Sequence, residues 1–175
     1  DYCRRSANPV GRLVLGLFRQ ATAQNIGWSD QICTGLQLAN FWQDVARDFE
    51  IGRIYLPAED RTRFGVSRDE LESGQSSDQF VAMMKFQVER AERFLRPWQS
   101  PLMMELAGFS WRQQIELELF ARGGLAILSR IRDMGYRVLE RRPKVSKSDF
   151  LKLGLRCLLR PAWRMHQSRR NLQTH

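Results

Sequence analysis

Gln37-Leu38-Ala39-Asn40-Phe41-Trp42-Gln43-Asp44-Val45-Ala46-Arg47-Asp48-Phe49-Glu50-Ile51-Gly52-Arg53-Ile54-Tyr55-Leu56-Pro57 is the stretch from which the rest of this chain can be read. Asp44 and Asp48 form the one acid pair spaced four apart in the 175 residues. Where another acid is followed four positions on by a charge, that charge is basic, as in Glu59 with Arg63, Glu89 with Arg93, Glu92 with Arg96 and Glu118 with Arg122. Those pairs read as ordinary salt bridges on solvated helix faces. Two carboxylates at the same spacing repel, at a cost of roughly 0.2–0.5 kcal/mol to a helix. A bound cation would turn that repulsion into a site.

On a helix, Gln37, Asn40, Asp44 and Asp48 fall at about 0°, −60°, −20° and +20°, so they share one polar stripe. Leu38, Trp42, Val45 and Phe49 lie on a neighbouring apolar face. Such a helix can line a cavity with a polar row beside apolar walls. The donors are all oxygen-bearing, with no His or Cys nearby, which suits a hard cation such as Mg²⁺. A bare Asp-x-x-x-Asp is more often a solvated polar face. Here Gln37 and Asn40 extend the stripe, and Arg53 follows in a loop from which it could reach a phosphate that the metal also holds.

Outward from this stretch, the chain reads as one all-α domain. Hydrophobic residues make up 43% and there are six prolines. Periodicity and turn signals predict a helix over 9–20 opened by Pro9, and a second, capped by Asn25, running unbroken to about Phe49. A loop follows over Gly52–Pro57. A short helix is capped by Ser67 with Glu70 completing a capping box. A long helix covers 78–96, with Phe80, Met83, Met84, Val88, Ala91 and Leu95 near one face. Another covers 102–134, interrupted or kinked at Gly123-Gly124. A last helix runs from Ser146 to about Arg160. The total is seven or eight helices.

Cys3, Cys33 and Cys157 are odd in number, widely spaced and share no metal-ligand pattern, so they read as free thiols of a reducing, cytoplasmic compartment. No apolar run is long enough for a membrane span. The net charge of +9 is carried by residues 136–175, which hold eleven basic and two acidic residues, while residues 1–135 are balanced. A basic tail on a neutral body points to a phosphate-rich surface. In the last helix Lys152, Arg156 and Arg160 form a basic stripe. It reads either as an interfacial segment on the inner face of a membrane or as a terminal helix docked on the bundle. Trp42 is the leading pocket candidate among the five tryptophans, and Met83, Met84, Met103 and Met104 read as core filler.

The pattern Gln37-Leu38-x-Asn40-x-x-x-Asp44-x-x-x-Asp48, then Gly52-Arg53-x-Tyr55-x-Pro57, resembles the second aspartate-rich motif of the squalene and phytoene synthase family. Tyr2-Cys3 with Val10-Gly11, Glu59-Asp60, Phe64-Gly65-Val66, Gly123-Gly124-Leu125 and Arg142-Pro143 extend the resemblance over most of the chain. Tyr2 to Gly11 is most similar to the bacterial hopanoid-pathway squalene and hydroxysqualene synthases. Gly123-Gly124 stands where carotenoid-type relatives resemble Tyr-Tyr.

The resemblance implies an isoprenoid synthase-type helical bundle around a central cavity. It implies a prenyl diphosphate substrate, farnesyl or presqualene diphosphate, ionised with the help of Mg²⁺. By motif, Asn40, Asp44 and Asp48 would be metal ligands. Gln37, Arg53 and Tyr55 would be substrate-binding, and Tyr2 would join Asp44 and Asp48 as catalytic residues. The family's first aspartate motif is not found here. Residues 1–160 therefore read as the C-terminal portion of one such domain, followed by a basic tail over 161–175. Such a portion is expected to be inactive alone and to expose apolar surface. The rival reading is a basic helical module that binds nucleic acid or membrane without catalysis. It accounts for the tail but leaves the Asn-Asp-Asp stripe unexplained, and no nucleic-acid partner is expected on the leading reading.

Overall fold

The structure, a computed structural model, describes residues 1–99, 108–146 and Gly154. Every regular element among the described residues is helical: α1 (Tyr2–Arg5), α2 (Ala7–Leu17), α3 (Ala23–Gln43), α4 (Val45–Glu50), α5 (Ala58–Phe64), α6 (Arg68–Ser73), α7 (Asp78–Leu95), a 3₁₀ turn (Arg96–Gln99) and α8 (Trp111–Asp133). The expected last helix, its basic stripe and the 161–175 tail lie outside the described residues, except that Ser146 is not helical and Gly154 is.

Local chemistry sets the boundaries. Ser77 and Ser110 cap α7 and α8, and Ser110 with Gln113 forms a full capping box. Ser67 caps α6 as expected, but the Glu70 carboxylate accepts from the Ser77 N–H at 2.8 Å and so ties α6 to the start of α7 instead of closing the box. Gly65 and Gly74 end α5 and α6 at φ +72° and +67°, where a side chain is strained. Three boundaries differ from the sequence reading. Pro9 lies inside α2 rather than opening it. Thr22, not Asn25, caps α3, its hydroxyl accepting from the Asn25 N–H at 3.2 Å, while the Asn25 amide donates to the Gln20 carbonyl. Helix α8 runs through Gly123-Gly124 without interruption.

Helix α3 is the axis of the bundle and packs on α2, α7 and α8. The core lies between α3, α7 and α8, where Phe80, Met83, Met84, Val88, Leu95, Leu128 and Ile131 are fully buried. The elements approach closely because glycines permit it. A Cβ on Gly35 would lie 2.7 Å from Leu95 Cγ and 2.9 Å from Phe94 Cβ, and one on Gly124 would lie 2.7 Å from Leu95 Cδ1. The glycine pair in α8 is thus partly a packing requirement rather than a helix breaker. Helix α2 presents Val10, Leu13, Leu17 and Phe18 outward, an exposed apolar face of the kind anticipated. No helix among the described residues is long and apolar enough to cross a membrane.

Candidate active site

The expected unbroken helix through the two aspartates is divided at Asp44, which ends α3 and precedes α4 with φ −109° and ψ 16°. The Asp44 N–H is shared between the Asn40 and Phe41 carbonyls at 3.1 and 3.3 Å, and the Asp48 N–H still donates to the Asp44 carbonyl at 2.8 Å. The axis is interrupted, but the i→i+4 connection between the two aspartates survives. The break coincides with a contact from far along the chain. Arg142 Nε and Nη2 donate to the two carboxylate oxygens of Asp44, the second at 3.2 Å. Beside it, Gln43 Nε2 donates to the Pro143 carbonyl at 2.9 Å.

Asp48 differs from Asp44 electrostatically. Burial raises its pKa above the ordinary aspartate value, the nearby Asp44 charge adds to the rise, and Arg53 and Arg47 oppose it. Arg53 and Asp48 line the same small cleft with Phe41, Phe49 and Tyr55. Asn40 is exposed and Gln37 half-buried, both on α3 upstream of Asp44. The donor set Asn40, Asp44 and Asp48 is entirely oxygen, which fits a hard divalent cation, and a guanidinium already stands as a positive charge on Asp44. Among the described residues no group of three His, Cys, Asp or Glu side chains could hold a metal by itself. A cation here would complete its shell with the Asn40 amide oxygen and with water or a ligand anion.

Tyr2 and Tyr55 meet beside this stripe. The Tyr55 ring stacks on Phe41 at 4.0 Å between centroids, and Tyr2 packs edge-on against both rings at 5.3 Å. A hydrogen bond with Tyr55 raises the Tyr2 pKa, and the Tyr55 charge adds to the rise. The loop after the carboxylates is therefore pinned to α1 and α3, with Arg53 held two residues before Tyr55.

A separate apolar cleft of about 280 Å³ opens between α2, α3 and α8. Its walls include Val14, Phe18, Ile32, Leu36, Phe109 and Phe120, with Trp28 and Trp98 in edge-to-face contact at 5.8 Å. On α3, Ser29, Ile32, Cys33 and Leu36 line it. By helical geometry that side of α3 leads on to Asn40, one turn past Leu36, with Gln37 and Asp44 on its flank and Asp44 about 12 Å beyond Leu36 along the axis. Trp42, the leading pocket candidate from sequence, is instead buried in the main core at 1% exposure. It sits on the α3 face turned towards α7. Trp28 and Trp98 take the cleft position, and a tryptophan 70 residues downstream of Trp28 carries no sequence signal for that pairing.

The motif did not mark Arg142 as part of the site. Its dipeptide with Pro143 is visible in the sequence, but its partner Asp44 is 98 residues away. Cys3 and Cys33 are free thiols, and Cys157 lies outside the described residues.

A helical bundle with a carboxylate-bearing central helix beside an apolar cleft is the architecture of the isoprenoid synthases. Residues 1–149 match the family described as squalene/phytoene synthase, and the chain belongs to that family. It is 32% identical over 136 residues to a hydroxysqualene synthase of Sinorhizobium fredii, an alignment covering 76% of this chain and 45% of that protein. It is 33% identical over 156 residues to a 15-cis-phytoene synthase of Synechocystis, covering 82% of this chain and 45% of the relative. Among solved structures, a squalene synthase from Alicyclobacillus acidocaldarius superposes with a TM-score of 0.71 at 39% identity, over 78% of this chain and 50% of that one. A dehydrosqualene synthase crystallised with a ligand gives a TM-score of 0.77 at 27% identity, over 92% of this chain and 56% of the other. The chain thus spans about half the length of the relatives it matches.

Proposed function

We infer that this chain is the part of a squalene/phytoene-type synthase that carries one metal-binding half of the active site, and that the whole protein acts on prenyl diphosphates with loss of diphosphate. The observation that carries the reading is that α3 bears both the cleft-lining Ile32, Cys33 and Leu36 and, at its C-terminal end, Asn40 and the bounding Asp44, with Asp48 one turn further on in α4. A substrate with an isoprenoid chain and a diphosphate head needs both environments, one dry and one cationic, within a chain length of each other. Asn40, Asp44 and Asp48 would hold Mg²⁺, with Gln37 beside them. Bound there, the metal supplies Lewis-acid neutralisation of the departing diphosphate. Arg53 would bind the same anion through its guanidinium, supported by the stacked Tyr55. The walls of the cleft would enclose the hydrocarbon and exclude water, and the half-buried Trp28, backed by the buried Trp98, would offer an aromatic surface to developing positive charge. Tyr2 would face the substrate at the junction of the two environments.

The preferred products are squalene or hydroxysqualene for hopanoid synthesis. The hydroxysqualene and squalene synthase relatives support that branch, as do glycines at 123 and 124. Incubating the whole protein and Mg²⁺ with farnesyl diphosphate, and separately with presqualene diphosphate, and identifying the hydrocarbon by mass spectrometry tests the assignment. Asp44→Asn should reduce turnover by at least about a hundredfold, the scale of loss when transition-state charge stabilisation is removed. Near-normal activity in that variant would sink the assignment.

A further inference from the structure

Asp44 already has a cationic partner within the fold. The Arg142 fork engages both of its oxygens, and the Asp44 side chain is only 13% exposed while that of Arg142 is 42% exposed. The arginine arrives on a short strap whose neighbour Pro143 is buried and tied by its carbonyl to the Gln43 amide. That strap meets the α3–α4 break at Gln43 and Asp44, while Asn40 stays exposed. Asp48, four residues on, is left with the longer-range fields of Arg53 and Arg47.

A divalent cation held by Asp44 together with Asp48 would need at least one Asp44 oxygen. The guanidinium and the cation would then share one carboxylate at short range and repel each other. The exposed arginine has four rotatable side-chain bonds and open solvent on one side, so it can leave without disturbing the core. We propose that Arg142 is an exchangeable counter-ion of Asp44: it holds the carboxylate in the metal-free protein, and binding of a divalent cation displaces it and loosens the 142–144 strap. The proposal rests on the reading of Asn40, Asp44 and Asp48 as a metal site. It makes Arg142 a positioning residue. While the latch is closed, Asp44 is held ready in its place, and the apparent metal affinity is lowered by the fraction of molecules in which the latch is open.

The test uses the whole protein without substrate and Mn²⁺ as probe, with free Mn²⁺ read by electron paramagnetic resonance. Arg142→Gln should tighten Mn²⁺ binding by about tenfold, as for a strap closed nine-tenths of the time. Arg142→Lys, which keeps the charge but loses the fork, should fall between. Limited trypsinolysis supplies a readout that simple removal of charge does not move. Cleavage after the exposed Lys144 should accelerate several-fold when Mn²⁺ is added to the wild type. It should be fast and insensitive to Mn²⁺ in Arg142→Gln. Unchanged or weaker Mn²⁺ binding in Arg142→Gln would overturn the proposal, because the guanidinium would then be orienting Asp44 for the metal. So would a wild-type cleavage rate indifferent to Mn²⁺. In either case the metal site itself would stand if Asp48→Asn weakens Mn²⁺ binding. Wild-type affinity retained in Asp48→Asn would remove the metal-site reading and the latch together.

Discussion

The Tyr55 ring lies on the Phe41 ring with centroids 4.0 Å apart and planes 13° from parallel. This contact joins the loop that follows the carboxylates to the helix that precedes them. The same loop carries Arg53, whose N–H donates to the Asp48 carbonyl at 2.7 Å. The Tyr2 ring leans on the same pair, so three aromatic rings from α1, α3 and the loop form one support beside Asp48.

Tyr55→Phe keeps the stack and removes only the hydroxyl beside the exposed Tyr2, so its stability should stay close to wild type. Tyr55→Ala removes the stack and should cost more, about 1–3 kcal/mol. Urea unfolding of the whole protein measures both. If the loop positions Arg53, the alanine variant should also raise KM for the diphosphate substrate well beyond the phenylalanine variant. Equal KM values would dissociate the stack from substrate binding.

Asp48→Asn should stabilise the fold while damaging the site. Burial and the Asp44 charge hold the Asp48 pKa above the ordinary aspartate value, so the folded state retains the proton more tightly than the unfolded chain. Ionisation therefore costs stability as pH rises from the ordinary value through the raised one, and the full penalty is present at neutral pH. Relieving a repulsion of roughly 0.2–0.5 kcal/mol should raise Tm by about 0.5–2 °C at pH 7. The gain should vanish in acid, where both states are protonated. A lower Tm for the variant at pH 7 would show that Asp48 has a favourable partner instead.

Glu140 should behave in the opposite sense. Burial of its carboxylate opposes ionisation, but hydrogen bonds from the Ser76 N–H and hydroxyl, at 2.9 and 2.8 Å, outweigh that, and its pKa lies below the usual glutamate value. Its stabilising contribution is present above the ordinary glutamate pKa and is lost as pH falls through the lowered one. Glu140→Gln should therefore cost about 0.5–1 kcal/mol at neutral pH, at the low end for a hydrogen bond because Glu140 is exposed and solvent screens its charge. The difference from wild type should shrink as unfolding is measured at progressively lower pH. A difference independent of pH would mean that shape, not charge, holds the α6–α7 turn to the segment after α8.

Two glycines of α3 should respond with opposite signs to the same change. At Gly35 a new Cβ would meet Leu95 and Phe94 at 2.7–2.9 Å, so Gly35→Ala should destabilise by about 1–3 kcal/mol through overpacking. Gly27 has nothing within 4 Å of its Cβ position and is exposed, so Gly27→Ala should stabilise by about 0.5–1 kcal/mol through helix propensity and reduced unfolded-state entropy. Chemical denaturation of the two variants side by side checks the pair.

The sequence by itself determined what depends on residues within a turn or two of each other. The apolar spacing of Phe80, Met83, Met84, Val88 and Leu95 defines α7, and a Ser-x-x-Glu pattern marks the start of α6. A 3.6-residue period puts Gln37, Asn40, Asp44 and Asp48 on one stripe beside an apolar face. Together with the loop chemistry of Gly52 to Pro57, that stripe was enough to point to the family. What only the tertiary structure decided involves partners separated by tens of residues. Periodicity assigns Trp42 to an apolar face but cannot say whether that face meets a cavity or another helix, and α7 fills the place. Trp28 and Trp98 meet because the 3₁₀ turn after α7 packs on α8, which puts Trp98 beside Trp28 and Ile32 of α3. The Asp44 break and the Arg142 latch are the clearest case. A helix period describes how Asp44 relates to Asp48, whereas the charge that holds Asp44 arrives from 98 residues away, through a fold that must form before the two can meet.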